Sequence, residues 1–160
     1  YIHWIPDQPQ LYRLNRGTHL RTFIPGRIEL TLFTFADDLY STYPDHILPP
    51  ERYPGIDTYD LRLSFADGEI WAVDAKDHAD PKRLALDIRF PYGEGDLAYN
   101  CCYFVVPNER FHEIGYREQL ENAVGEHLDN LMIVSVEEFQ SRVVDKINAL
   151  ANPSKSRKRR

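Results

Sequence analysis

The 160-residue sequence contains only two cysteines, and they are adjacent at Cys101 and Cys102. Neighbouring cysteines rarely bridge each other, and no second pair has the spacing of zinc ligands. The sequence therefore argues against a secreted scaffold held by disulfides and favours the reducing cytoplasm. Because both cysteines lead into an apolar run, we expect them in the core.

Long apolar runs and several catalytic motifs are also missing. No stretch approaches 18 consecutive apolar residues, and no basic start precedes a short apolar segment, which argues against a membrane span and a secretory signal. Gly-x-Ser-x-Gly, the phosphate-binding loop and the Rossmann glycine pattern are absent, as are His-x-His and His-x-x-x-His pairs. These absences argue against the corresponding hydrolases, nucleotide enzymes and histidine zinc sites.

Cations are scarce in most of the chain. Five of the 19 lysine and arginine residues lie between Lys155 and Arg160, which leaves 14 cations against 25 acidic residues, a net charge of −11. This acidic body argues against a broad surface that coats DNA. It is compatible with an enzyme that gathers carboxylates around metal ions. Residues 152–160 lack apolar side chains and are predicted to be a disordered basic tail.

The hydrophobic periodicity predicts one domain over residues 27–151, which follows an extended N-terminal arm at 1–26 with a short strand at 10–15. Predicted helices lie at 27–42, 80–90, 116–128 and 136–150, with a loop at 43–56 and strands at 103–106 and 131–134. A strand at 28–35 is the alternative to the first helix. Ser135 and Glu138 have the spacing of a capping box, which favours a helix start there.

Residues 59–76 contain two alternating runs around Asp67-Gly68, which predicts a β-hairpin. Six of its apolar residues occupy odd positions: Leu61, Leu63, Phe65, Trp71, Val73 and Ala75. These side chains share one face only if Leu61 pairs with Val73, because a slip of one residue would move one set to the other face. That register requires a three-residue loop with Gly68 in the left-handed conformation.

The same register places Asp60 opposite Asp74, with Lys76 on the same face. Directly opposed residues have Cβ atoms roughly 5 Å apart, and two carboxylates that close repel unless a cation or proton lies between them. Mg²⁺ prefers oxygen ligands, so Asp60, Asp74 and the carbonyl of Ala75 are the predicted metal ligands. Lys76 is the predicted catalytic lysine, placed to orient an attacking water or to stabilise the charged transition state.

An Asp at the start of one strand, followed by Asp74-Ala75-Lys76 at the end of the next, resembles the PD-(D/E)xK nuclease superfamily. The resemblance implies an α/β restriction-endonuclease-like fold, a mixed β-sheet flanked by helices. It also implies Mg²⁺-dependent (or Mn²⁺-dependent) cleavage of DNA or, less often, RNA. Members often add an acidic residue from the helix before the hairpin, and Glu29 is the candidate here.

Accessory nuclease modules of prokaryotic antiviral defence systems look similar. The chain begins at Tyr1 rather than Met, so we expect other domains or subunits of a larger protein or complex as partners. Lys82 and Arg83, in the first turn of a predicted helix, and Arg89 further along are predicted to contact nucleic-acid phosphates.

Several alternatives stay open from the sequence alone. Asp60 follows Tyr59 rather than Pro, so Asp45 and Asp57 are alternatives for the first carboxylate. An acid-x-Lys triplet arises by chance about once in such a chain, and Asp74 with Lys76 would then form an ordinary surface salt bridge. The alternative function is a catalytically silent nuclease-fold module for nucleic-acid binding or assembly.

Overall fold

The computed structural model describes residues 26–88, 93–124 and 131–152, without the side chains of residues 56 and 57. These residues form an α/β fold around one five-stranded mixed sheet, in which the strands lie side by side in chain order. The strands are β1 (Glu51–Arg52), β2 (Leu61–Ser64), β3 (Ile70–Ala75), β4 (Cys101–Val106) and β5 (Leu131–Ser135). Strands β1 to β3 are antiparallel, and β3 to β5 are parallel.

Helices cover both faces of the sheet. They are α1 (Gly26–Thr42), α2 (Pro54–Asp57), α3 (Pro81–Asp87), α4 (Asn108–Phe111), α5 (Tyr116–Val124) and α6 (Val136–Ala151). The apolar stripes of α1 and α6 pack on the face formed by the odd residues of the hairpin. Leu84 of α3 and Leu120 of α5 pack together on the opposite face, where Ala72 and Phe104 are also buried. Burial on both faces explains why the central strands are short, apolar runs.

The hairpin has the predicted register. Leu61 pairs with Val73, and the amide of Phe65 donates to the carbonyl of Glu69 at 2.9 Å, which closes a three-residue loop. Gly68 has a φ of 87°, a conformation that costs glycine little because it has no Cβ. The prediction of the turn and of the shared odd face is therefore confirmed.

The last helix has the predicted cap and is tied to the hairpin loop. The Ser135 side chain accepts from the amide of Glu138, whose carboxylate accepts in return from the amide of Ser135. Further along α6, the Lys146 ammonium lies 2.6 Å from an oxygen of Asp67 and also binds Glu69. The loop on which the register depends is thus held by a partly buried cation.

The region 43–56 is not the plain loop that its prolines predicted. It contains β1, whose Glu51 and Arg52 pair with β2, and the single turn α2. Ile47 forms an isolated bridge with Phe65 and is fully buried. These pairings depend on the edge of a strand that comes later in the chain, so local periodicity carried no signal for them.

The boundaries of other elements differ by a few residues. Helix α1 replaces the alternative strand at 28–35, and β4 starts at Cys101 rather than 103. Helix α3 ends at Asp87 rather than 90 because Ile88 is extended. The short helix α4 was not predicted. Of the arm predicted at 1–26, Gly26 is the first residue of α1. The rest of the arm with its strand at 10–15, the end of the helix predicted at 116–128, and residues 153–160 lie outside the described residues.

Both cysteines are free. Cys102 is buried in the sheet, as predicted, whereas Cys101 is only partly buried. Burial raises the pKa of Cys102 to about 12, so its thiolate is not available as a nucleophile at neutral pH. Among residues 26–88, 93–124 and 131–152, no helix is both long and apolar enough to cross a membrane.

Candidate active site

Asp60 and Asp74 lie where β2 begins and β3 ends. The carboxylate of Asp60 accepts a hydrogen bond from the amide of Ala75 at 2.6 Å. The backbone amide of Asp60 donates to the carbonyl of Val73 at 3.0 Å. The side chain of Asp60 is thus fixed against the end of β3, beside Asp74. The structure brings these two predicted carboxylates together.

Their electrostatics follow from burial and proximity. Burial raises the pKa of Asp60 to about 7, although the amide of Ala75 opposes this, and the charge and carboxyl group of Asp74 raise it further. Near neutral pH, a proton therefore lies between two carboxyl groups that would otherwise repel each other. A divalent cation suits the same position, because it satisfies both carboxylates at once.

Lys76 directly follows the end of β3 and pairs with Asp74. Its ammonium lies 2.7 Å from an oxygen of Asp74, and the two side chains are 32% and 15% exposed. It also lies 6.0 Å from the centre of the Phe104 ring. The pair is therefore more buried than the ordinary surface salt bridge that was the alternative. The amide of Lys76 donates to the carbonyl of Val105, which fixes the backbone just after β3.

Glu29 reaches the same region from α1. Its carboxylate accepts a hydrogen bond of 2.6 Å from the hydroxyl of Tyr53, and its charge contributes to the raised pKa of Asp60. That hydrogen bond also raises the pKa of Tyr53, so the hydroxyl stays a donor. Glu29 therefore lies near enough to Asp60 to act on it through its charge, although the three acids do not form a metal-binding group in the described part of the chain.

The alternatives for the first carboxylate have different positions. Asp45 is exposed in the turn that follows α1, whereas Asp57 is the last residue of α2 and its side chain is not described. Of the two acids whose side chains can be compared, Asp60 and not Asp45 contacts Asp74.

The loop after Lys76 is anchored by residues that the sequence analysis missed. The hydroxyl of Tyr116 donates to the carbonyl of His78 at 2.5 Å, and Arg110 lies 3.4 Å from Asp77. These partners are more than 30 residues apart in the chain, so no local pattern could have identified them. Their effect is to hold the segment that follows the lysine.

A cleft of about 380 Å³ opens next to this segment, between the start of α1 and the ends of β3, β4 and β5. Its lining includes Arg27, Asp77, Asn108 and Glu109. In parallel sheets, ligands bind at the carboxyl ends of the strands, which is where this cleft lies.

Lys82 and Arg83 are exposed in the first turn of α3, as predicted. The carboxylate of Asp80 already accepts from the amides of both residues, at 3.0 and 3.4 Å. These amides are thus occupied by a carboxylate of the chain, and the predicted phosphate contact depends on the two side chains alone. Arg89 lies outside the described residues.

The donors at the site fit a hard cation that keeps bound water. In the described part of the chain, no group of three or more His, Cys, Asp or Glu side chains could hold a metal ion. Zinc usually requires four protein ligands or three with an open position, whereas Mg²⁺ often binds one or two carboxylates together with water and phosphate. The pair of Asp60 and Asp74 therefore suits Mg²⁺ better than zinc.

Comparison with known families agrees with this geometry. A family model described as "REase associating with pPIWI_RE" matches residues 26–151. The match covers more than half of the chain, so the chain belongs to this family of restriction-endonuclease-like domains. Membership confirms the resemblance and the fold class predicted above, and it indicates a function of nuclease type. Comparisons with curated proteins and with solved structures gave no match.

Proposed function

We propose that this chain, as a member of that family, is a Mg²⁺-dependent endonuclease that hydrolyses phosphodiester bonds in DNA. The observation that carries the proposal is the contact of two partly buried carboxyl groups, Asp60 and Asp74, with Lys76 bound to one of them at 2.7 Å. A carboxyl group whose pKa is raised to about 7, next to a second carboxyl group, is more typical of a functional site than of a purely structural hairpin.

Asp60, Asp74 and the carbonyl of Ala75 are the residues that would hold Mg²⁺, and Mn²⁺ has the same preference for oxygen donors. When bound, the ion supplies a water of lowered pKa and stabilises negative charge on the phosphate. The protein contributes by fixing both carboxylates before the substrate binds. The hydrogen bond from the amide of Ala75 to the carboxylate of Asp60 is the clearest evidence that this carboxylate is held in place in advance.

Lys76 acts on the substrate. As water attacks phosphorus and the bond to the leaving oxygen breaks, negative charge grows on the phosphate oxygens, and the ammonium of Lys76 stabilises it. Asp74 orients Lys76 through their ion pair. Glu29 would supply a third carboxylate, which would accept a proton from the attacking water.

We assign DNA binding to cations that follow the candidate site in the sequence and to one that lines the neighbouring cleft. Lys82, Arg83 and Arg89 follow the catalytic lysine in the sequence, and Arg27 lines the neighbouring cleft. The basic tail adds five cations that compensate for the acidic body. Cleavage of RNA instead of DNA would change the substrate in this proposal but not the site.

A second candidate function is assembly without turnover. The description of the family supports association of this chain with a pPIWI_RE protein, in keeping with an accessory module of a prokaryotic defence system. The net charge of −11 for the body favours this candidate, since such a surface repels DNA unless a partner supplies cations.

The test is a cleavage assay on plasmid, linear single-stranded DNA and RNA, with Mg²⁺ or with EDTA, with and without the pPIWI_RE partner. We expect Lys76→Ala to lower cleavage by roughly 10²–10³ while the melting temperature changes little. Lys146→Ala is the matched control, because Lys146 binds the hairpin loop, at the other end of the hairpin from Asp60 and Asp74, and its loss should lower stability but not cleavage. Equal cleavage by the parent and Lys76→Ala would contradict the proposal, and no cleavage under any condition would favour assembly alone.

A further inference from the structure

Tyr53 has an unusual backbone for its size. It is the only residue other than glycine with a positive φ among the residues described, at 50°. A bulky side chain in this conformation is strained, and such strain persists only where the surroundings enforce it. Tyr53 is also 37% exposed, so burial of its ring does not explain why the strained residue is a tyrosine.

The contacts of Tyr53 connect it to the candidate active site from two sides. Its amide donates to the carbonyl of Asp60 at 3.0 Å, which anchors its backbone to the start of β2. Its hydroxyl donates to the carboxylate of Glu29 at 2.6 Å. Tyr53 thus links the backbone of Asp60 to the side chain of Glu29.

Arg52 holds the ring in place. Its guanidinium lies 5.1 Å from the centres of the rings of Tyr53 and Phe33, and one of its nitrogens donates to the hydroxyl of Tyr53 at 3.4 Å. Phe33 is four residues after Glu29, on the same face of α1. The contacts of Arg52 with Phe33 of α1 and with Tyr53 therefore direct the hydroxyl of Tyr53 at Glu29, which lies on the same helix as Phe33.

We propose that Tyr53 is a positioning residue, whose hydroxyl holds the Glu29 carboxylate toward Asp60 and Asp74. The inference rests on the proposed nuclease function, since Glu29 has a chemical role only there. The strain at Tyr53 fits this role. Glycine or asparagine would adopt the same backbone at lower cost but would lose the hydroxyl that reaches Glu29.

The test compares Tyr53→Phe, which removes only the hydroxyl, with the parent. We expect cleavage to fall roughly tenfold, as for the loss of one hydrogen bond to a charged group, while Mn²⁺ affinity in calorimetry stays that of the parent, because Glu29 is not among the proposed metal ligands. Glu29→Gln should have a similar effect, and the double variant should lose little more, because both changes break one interaction. Tyr43→Phe, an exposed tyrosine after α1, is the control and should behave as the parent.

Two further measurements separate positioning from a structural role. Tyr53→Asn should raise the melting temperature by roughly 2 °C, because it relieves the backbone, and still lower cleavage. A crystal structure of Tyr53→Phe should show the Glu29 carboxylate displaced. An undisplaced Glu29, or cleavage by Tyr53→Phe at the rate of the parent, would overturn the inference. The crystal structure decides even if the parent cleaves nothing, a result that would refute the nuclease proposal separately.

Discussion

The carboxyl pair makes stability depend on pH in a way that one substitution should abolish. In the absence of divalent metal, Asp60 has its pKa raised from 3.8 to about 7, mainly by burial. Between these values, the folded state keeps a proton that the unfolded state has released. The free energy of unfolding therefore falls as pH rises through this window, and the loss is complete above about pH 7.

The size of the effect follows from the same values. A difference of about three pH units corresponds to at most roughly 4 kcal/mol. Asp60 is partly exposed, so we expect roughly 2–4 kcal/mol after allowance for solvent screening. The neutral amide of the Asp60→Asn variant resembles the protonated carboxyl group and carries no such loss. In EDTA, Asp60→Asn should therefore be the more stable protein at pH 8 and about equal to the parent at pH 4.5.

The assay is urea unfolding in EDTA at pH 4.5 to 8.5, followed by the fluorescence of the buried Trp71. All other titratable groups are common to both proteins, so their contributions cancel in the difference. Asp67 and Glu69 do not contribute in this range. Burial alone would raise the pKa of both carboxyl groups, but the hydrogen bonds from Lys146 outweigh it and lower both pKa values. Asp37→Asn, an exposed position on α1, is the control. Parallel curves for the parent and Asp60→Asn would refute the reasoning.

Three other predictions concern separate parts of the chain. Asp74→Asn should weaken Mg²⁺ binding at least tenfold in calorimetry, and unchanged affinity would remove Asp74 from the proposed ligands. Lys146→Ala should lower the free energy of unfolding by about 1–2 kcal/mol and the melting temperature by several degrees, because two hairpin carboxylates lose their cation. An unchanged melting temperature would show that these ion pairs do not stabilise the fold. Deleting residues 153–160 removes five cations and should flatten the salt dependence of DNA binding, so equal slopes would exclude a role for the tail.

The hairpin could be predicted from the sequence in detail because one pattern specified it. Six apolar residues at odd positions determined the register, and the register determined that Asp60 approaches Asp74. The final helix was equally accessible, since its capping box is local and its apolar stripe continues to Ile147. In both cases the information lies within about 20 residues of chain, where side-chain periodicity is decisive.

Other features depend on contacts between distant segments, and the sequence carried no trace of them. Strand β1 exists because it pairs with the free edge of β2. The short helix α4 and the anchoring of the loop by Arg110 and Tyr116 depend on how the crossover after β4 packs. The strain at Tyr53 likewise arises from its tertiary contacts, because Pro54-Gly55 indicates a turn but not a left-handed residue in front of it.

The position of β3 explains why the candidate site lies where it does. This strand is antiparallel to β2 on one side and parallel to β4 on the other. At its end, the amide of Ala75 donates to the side chain of Asp60, and the amide of Lys76 donates to Val105. Consecutive residues are therefore anchored to opposite neighbours. The carboxylate pair and the lysine are fixed by the sheet itself, and this order before substrate binds is what electrostatic catalysis requires.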